Sequence, residues 1–174
     1  MASLALQRLA EERKIFRKTR QYGFQAKPTV RKDGSTDLFE WACVVPGKKA
    51  SYMEEGNFPV TIRFTEDYPS KPPAVFLPPG FLHVNVFDNG GVCLSMLKTE
   101  MPQHLTAVAA VDAWRPSITV NQILLAIQEL LHNPHFGSVA NWDAYNLRER
   151  KGMAAYERRM RQQATQYSTP PTAE

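Results

Sequence analysis

The stretch from Glu66 to Leu97 constrains the fold of this 174-residue chain more than any other part of it. Prolines crowd 66–80 and leave room for one short strand, Ala74 to Leu77, because a proline cannot donate to a sheet ladder. From Gly80 to Leu97 no regular element is expected beyond one short turn after Cys93. A loop this long is functional or disordered. Its apolar content (Phe81, Leu82, Val84, Val86, Phe87, Val92, Leu94) argues that it packs, which favours function.

The periodicity differs on the two sides of this stretch. Before it, residues 3–21 read as a helix with Ala5, Leu9 and Phe16 at helical spacing, stopped by Gly23. Strands follow at 24–31, 37–45 and Phe58 to Phe64, with a turn at Asp33-Gly34 and a loop from Lys48 to Asn57 opened by Pro46-Gly47. After it, Ile118 to Leu131 is the clearest helix, apolar at Ile118, Ile123, Leu124, Ile127, Leu130 and Leu131, and it ends at Asn133-Pro134. Two more helices are expected over 141–149 and 152–167. A four-stranded antiparallel meander between helices is an α+β plan. The expected organisation is one domain over 1–168, with an inserted loop at 98–113 and a tail at 169–174.

Several function classes fall away. No apolar run approaches the roughly 18–20 residues of a membrane span. Arg8, Glu11 and Glu12 interrupt the N-terminal apolar residues, so no signal peptide is expected. Two cysteines build neither a disulfide framework nor a zinc cage, so a reducing compartment, cytosol or nucleus, is expected. His132 and His135 do not make a metal site.

Charge is unevenly distributed: residues 1–32 carry a net +7, 33–147 a net −6 and 148–161 a net +4. A basic arm on an acidic body suits an acidic partner, either nucleic acid or a protein surface, or is simply a solvated helix face. Arg13/Arg17 and Lys14/Lys18 are like-charged at i, i+4, each at a cost of a few tenths of a kcal/mol. Nothing local offsets that cost, which points to a partner.

Tyr68-Pro69-Ser70-Lys71-Pro72-Pro73, then His83-Val84-Asn85 with Cys93 eight residues later, then Trp114-Arg115-Pro116 before an apolar helix, resemble the ubiquitin-conjugating fold. The resemblance runs from about Leu4 to Tyr167. It is strongest to the SUMO-conjugating branch, through RLAEERKIFRK at 8–18, WACVVPGKK at 41–49 and QILLAIQELL at 122–131.

The resemblance implies that Cys93 carries a modifier as a thioester, which keeps the modifier's C-terminal glycine activated for transfer to a lysine amine. Cys93 must then be a reachable thiol in an irregular loop, whereas Cys43, mid-strand, is packing. Asn85 would stabilise the oxyanion formed on lysine attack, or hold the loop that does so. Loss of one oxyanion donor typically slows a reaction about 100–1000-fold. His83 is read as fixing the loop. No cofactor is implied. The implied partners are SUMO, its activating enzyme, SUMO ligases and lysine-bearing substrates, with Arg13, Lys14, Arg17 and Lys18 meeting the modifier and the activating enzyme. The implied location is nucleus and cytoplasm.

The chain also departs from the family pattern. Phe87 stands at the aromatic wall without the usual hydroxyl, and Ser138 replaces the usual acid. Desolvation by Phe87 still lowers a lysine pKa. A Ser138 hydroxyl orients an amine but takes no proton at neutral pH. Val84 replaces a proline. Ala74 and Phe76 stand where two lysines would read an acidic residue after the target lysine, and Asn89 and Gly91 replace small hydroxyl residues. Asn89 and Tyr145 are the expected substrate-groove residues, Tyr145 matching an aromatic one. About ten extra residues lie between Leu97 and Trp114. They either pack locally or present Leu105, Val108 and Val111 to a ligase or substrate; the second is preferred, since exposed apolar patches are rarely idle. Thr106 to Ala113 could form a short helical turn.

Other readings are a catalytically silent adaptor of the same fold, which Cys93 and Asn85 argue against, and a ubiquitin rather than a SUMO carrier. Nucleic-acid binding lacks an aromatic platform beyond Phe16 and Tyr22 and is not expected.

Overall fold

The computed structural model describes residues 3–99 and 113–170. Expectations for the inserted loop and the 106–113 turn lie outside the described residues except at Lys98, Thr99 and Ala113, and those for the tail except at Thr169 and Pro170. Helix α1 (Leu4–Thr19) starts at Ser3, whose hydroxyl accepts from the Leu6 amide at 3.3 Å. It buries Ala5, Leu9, Glu12 and Phe16. Strands β1 (Gln25–Val30), β2 (Thr36–Pro46), β3 (Asn57–Arg63) and β4 (Ala74–Phe76) form one antiparallel sheet in chain order. Alternation is clean on β3: Phe58, Val60 and Ile62 are buried, whereas Pro59, Thr61 and Arg63 face outward.

Helices α2 (Val120–His132), α3 (Trp142–Lys151) and α4 (Met153–Gln166) complete the fold, the last two parted at Gly152, where φ is +84°. The buried face of α2 (Ile123, Leu124, Ile127, Leu131) joins Trp41, Phe58 and Ile62 of the sheet in one apolar cluster. Each such side chain contributes about 1.5–3 kcal/mol on burial. The helix starts two residues later than its apolar pattern predicts. Thr119 caps it: its hydroxyl accepts from the Gln122 amide at 3.2 Å, and the Gln122 side chain accepts from the Thr119 amide at 2.9 Å. This capping box leaves Ile118 buried but outside the helix.

A buried ion pair fastens α1 to α2. Glu12 is fully buried, and its carboxylate accepts from Arg8 Nε at 2.8 Å and from the Val120 amide at 2.9 Å. Val120 is the first residue of α2, so the carboxylate lies at the positive end of that helix. Arg8 also donates to the carbonyls of Pro116 at 2.6 Å and Ile118 at 3.1 Å, and stands over the Tyr68 ring. Tyr68 packs edge-on against Phe64, and Trp114 Nε1 donates to the Pro69 carbonyl at 2.8 Å. The tyrosine-proline and tryptophan motifs thus meet in space. The Trp114 amide donates to the Lys98 carbonyl at 3.1 Å, so the chain enters and leaves the insertion at one point.

Removing one partner of a buried pair leaves the other uncompensated. Glu12→Ala is therefore expected to lower unfolding free energy by about 3 kcal/mol, because it strands Arg8 and the Val120 amide. The exposed Glu66→Ala should change it by less than about 0.5 kcal/mol. Urea unfolding of both variants measures the contrast, and equal losses would contradict the pinning role.

Candidate active site

Two short backbone ladders present Cys93. Its amide donates to the Asn85 carbonyl at 2.8 Å, and the Val92 amide donates to the Val75 carbonyl at 3.0 Å, tying the segment to β4. A single 3-10 turn, Ser95–Leu97, follows. The thiol is half-buried and therefore reachable. Cys43 lies buried in β2, and burial pushes its thiol well above the usual range, so it stays protonated and unreactive.

The loop before Cys93 folds back as a tight turn. The Phe87 amide donates to the Gly91 carbonyl and the Gly90 amide to the Phe87 carbonyl, both at 2.8 Å. Gly90 has φ +88°, and a Cβ there would stand 2.0 Å from the Leu77 carbonyl oxygen, so a side chain is excluded. Asn89 closes the turn by accepting from the Gly91 amide at 2.9 Å. The turn leaves the Phe87 ring 48 % exposed, an apolar wall against which an incoming amine could be desolvated.

Asn85 is fully buried, and its side chain is committed to backbone. Its Nδ2 donates to the carbonyls of His135 and Ser138, both at 2.8 Å, and its Oδ1 accepts from the His135 amide at 2.8 Å. The 135–138 turn is thereby held against the 85–93 loop. That places the Ser138 hydroxyl 3.5 Å from the Cys93 sulfur, within hydrogen-bonding reach. Of the two roles expected for Asn85, this geometry is that of a residue holding the loop, since both of its N–H groups already have acceptors.

His83 is also fully buried. Its Nδ1 accepts from the Asn85 amide at 3.1 Å, while Nε2 faces the Leu130–Leu131 backbone without closing a well-formed hydrogen bond. Burial lowers its pKa to about 4, so the ring is neutral.

Tyr145 is half-buried on α3 and packs edge-on against the exposed Trp142 at 5.4 Å. Asn141 caps helix α3 and donates to Asp88 at 3.2 Å, so the first turn of α3 borders the Cys93 loop. Arg13, Lys14, Arg17 and Lys18 lie along α1. Lys14 makes a loose 3.6 Å pair with Glu11, and among the described residues the other three form no ion pair. Arg17 and Lys18 stand in the last turn, where the helix dipole favours cations. That offsets part of the like-charge cost that the sequence pattern left to a partner.

Arg63 was not legible as a site residue. The β3–β4 register sets it opposite Ala74 and sets Thr61 opposite Phe76, so all four stand on one face. Its guanidinium lies 5.1 Å over the Phe76 ring and bonds Glu40 at 2.9 Å. With Thr61, Phe76 and Asn89 it lines a groove of about 370 Å³ beside the Cys93 loop. The outward alternation of β3 placed Arg63 on the sheet surface, but only the pairing register brings it to Ala74 and Phe76. Among the described residues, no group of three His, Cys, Asp or Glu could hold a metal ion. No helix among them is long and apolar enough to cross a membrane.

These features set a reachable thiol in an irregular loop on an α+β scaffold, and the ubiquitin-conjugating enzyme family model matches residues 8–164. The chain belongs to that family. It is 45% identical to the SUMO-conjugating enzyme SCE1 of Arabidopsis thaliana over 96% of this chain and 98% of the relative. It is 44% identical to the Sumo-conjugating enzyme ubc9 of Dictyostelium discoideum, over 78% of each chain. It is 38% identical to the SUMO-conjugating enzyme UBC9 of Caenorhabditis elegans, over 97% of this chain and 94% of the relative.

A neutral buried His83 makes stability pH-dependent. Its folded pKa, about 4, lies below the ordinary 6.5, so between these values the unfolded chain binds more protons. Stability is then full above pH 6.5 and falls as pH drops toward 4, by on the order of 3 kcal/mol. Urea unfolding from pH 7.5 to 4.5 should show this slope, flattened in His83→Gln. Parallel slopes in the two proteins would assign the titration elsewhere.

Proposed function

We propose that this chain is a SUMO-conjugating enzyme that receives SUMO from its activating enzyme as a thioester on Cys93 and transfers it to substrate lysines. The observation that carries the reading is the half-buried Cys93 thiol in an irregular loop, with the Ser138 hydroxyl at 3.5 Å and the exposed Phe87 ring nearby. In the first step the Cys93 thiolate displaces the activating enzyme's thiol from the modifier's C-terminal carbonyl. In the second a neutral lysine amine attacks that carbonyl, the Cys93 thiolate leaves, and the amine's proton passes to that thiolate or to water, giving the isopeptide and the free Cys93 thiol. Phe87 disfavours the charged amine, and Ser138 orients it without accepting its proton.

SUMO rather than ubiquitin is favoured by the names of the relatives and by the basic α1, whose Arg13, Arg17 and Lys18 have no ion-pair partner among the described residues. An acidic surface on SUMO and its activating enzyme fits that face. SUMO ligases are further partners, and no cofactor is required. Asn89 and Tyr145 border the path of the substrate. Arg63, paired with Glu40 at 2.9 Å, is the cation of that face in place of ones at Ala74 and Phe76, and would have to share its guanidinium to meet an acidic neighbour of the target lysine. The proposed location is nucleus and cytoplasm.

With activating enzyme, ATP and SUMO, the wild type and Cys43→Ser should form a reducible adduct. Cys93→Ser should form a reductant-resistant ester or none. A reducible adduct on Cys93→Ser would overturn the mechanism, and charging with ubiquitin but not SUMO would overturn the modifier.

Asn85 should act through the 135–138 turn. Asn85→Ala is expected to charge normally and to discharge onto free lysine about 10–100-fold more slowly, the scale of a misplaced reacting group. Ser138→Ala added to it should cost little more, because the turn is already displaced. Multiplying losses in the double variant would instead give Asn85 a direct contact with the developing charge.

A further inference from the structure

One basic segment of the chain is left unused by the transfer site. Residues 148–161 carry a net +4, and in the folded protein they span the end of α3, Gly152 and most of α4. The two helices meet in a shallow cleft lined by Leu147, Lys151, Ala155, Arg158, Arg159 and Gln162, with a volume of about 340 Å³. Three cations converge on it.

Nothing within the described residues neutralises them. Arg150, Lys151, Arg158, Arg159 and Arg161 form no ion pair there. Of the two acidic side chains in the segment, Glu149 pairs with its neighbour Arg148 at 2.7 Å, and Glu157 forms no ion pair among the described residues. Asp143 lies two helical turns before Lys151. Like charges held together without a counter-charge raise the energy of the folded chain, and an anionic ligand removes that cost.

The cleft also indicates what kind of anion fits. Leu147 and Ala155 give it a partly buried aliphatic floor, and no aromatic ring lines it. Without a ring there is no platform for stacking a base, which disfavours single-stranded nucleic acid. Lys and Arg around an aliphatic floor suit a polypeptide that mixes carboxylates with aliphatic side chains. The cleft also has a defined position relative to the active-site loop. Helix α3 follows its cap Asn141, bonded to Asp88 of that loop, and lines the cleft with Leu147 and Lys151, six and ten residues on. That is about 9–15 Å along the helix axis from Asn141, a distance covered by about three to five extended residues.

We infer that the α3–α4 cleft is a docking site for an acidic, aliphatic-containing segment of the lysine-bearing substrate, at least about three to five residues from the target lysine. It is a second contact, separate from the groove at Cys93, and it holds the substrate while the lysine enters.

The test uses the full chain and a fluorescein-labelled twelve-residue peptide alternating Glu and Leu around a central Asp-Asp. Anisotropy should show binding that weakens as NaCl rises from 50 to 200 mM. Arg158→Glu/Arg159→Glu should weaken it at least tenfold, and Arg158→Gln/Arg159→Gln to an intermediate degree. Both variants should still form the Cys93 thioester, which shows that they fold. A longer peptide with a lysine five residues from the acidic block should be modified faster than one with the block replaced by Ser and Asn, and this advantage should vanish in the double variants. No binding, binding unchanged in both variants, or tighter binding of a twelve-nucleotide oligothymidylate than of the peptide would each overturn the proposal.

Discussion

The carboxamide of Asn85 is the point on which the site depends. Both of its N–H groups and its oxygen are bonded to the backbone of His135 and Ser138, fifty residues along the chain, and its own carbonyl holds the Cys93 amide. One buried residue therefore sets the distance between the nucleophile and the turn that faces it. A side chain without both a donor and an acceptor would strand buried backbone groups, each at about 1–3 kcal/mol. Neither of the two long irregular segments can be placed by secondary structure, because they contain almost none. They are placed by hydrogen bonds to each other.

This arrangement needs rigid surroundings, and the fold supplies them from two sides. The sheet delivers β4, whose Val75 carbonyl receives the Val92 amide, so the Cys93 segment continues the pairing of the strands. From the helical side, Val84 accepts from the amides of Ala140 and Asn141, fixing the start of α3 against the same loop. Further away, the Glu12 carboxylate joins α1 to the first amide of α2, which keeps the core closed beneath the site. The buried polar groups here lie where chain segments must be held without a ladder, and the apolar cluster fills the rest.

Much of this architecture was legible in the sequence because it rests on period. The alternation at Phe58, Val60 and Ile62 and the helical spacing of Ile123, Leu124 and Ile127 depend only on neighbours in the chain. The absence of any period between Gly80 and Leu97, together with apolar content, marked the loop that holds Cys93. Less local features were hidden. Glu12 reads as an ordinary surface carboxylate until tertiary packing buries it against Arg8 and Val120. Asn85 has the same composition whether it donates to an oxyanion or to a carbonyl, so only geometry separates the two roles. Arg63 belongs with Ala74 and Phe76 through strand register, and register is a property of the pairing, not of either strand alone. Ile118 was misread because its hydrophobicity fits the helix, whereas the Thr119 to Gln122 box, visible in the sequence, sets the boundary.

The groups around Cys93 are neutral: the Ser138 hydroxyl, the Phe87 ring, the bonded Asn85 amide and an uncharged His83. Most formal charge is kept further out, on the outer face of α1 and in the α3–α4 cleft, with Asp88 on the Cys93 loop and Arg63 in the adjoining groove as the nearer exceptions. The separation has a physical consequence. Surface charges attract partners through water and are screened within about 8–10 Å at ordinary ionic strength, so salt weakens encounter and docking. The thioester's attack by an amine takes place among neutral groups that salt screens little. In the proposed reaction the amine meets the Phe87 ring and the Ser138 hydroxyl, with no carboxylate at that position. Recognition and chemistry are thus divided between exposed ionic surfaces and a neutral centre, and the buried Asn85 holds that centre together.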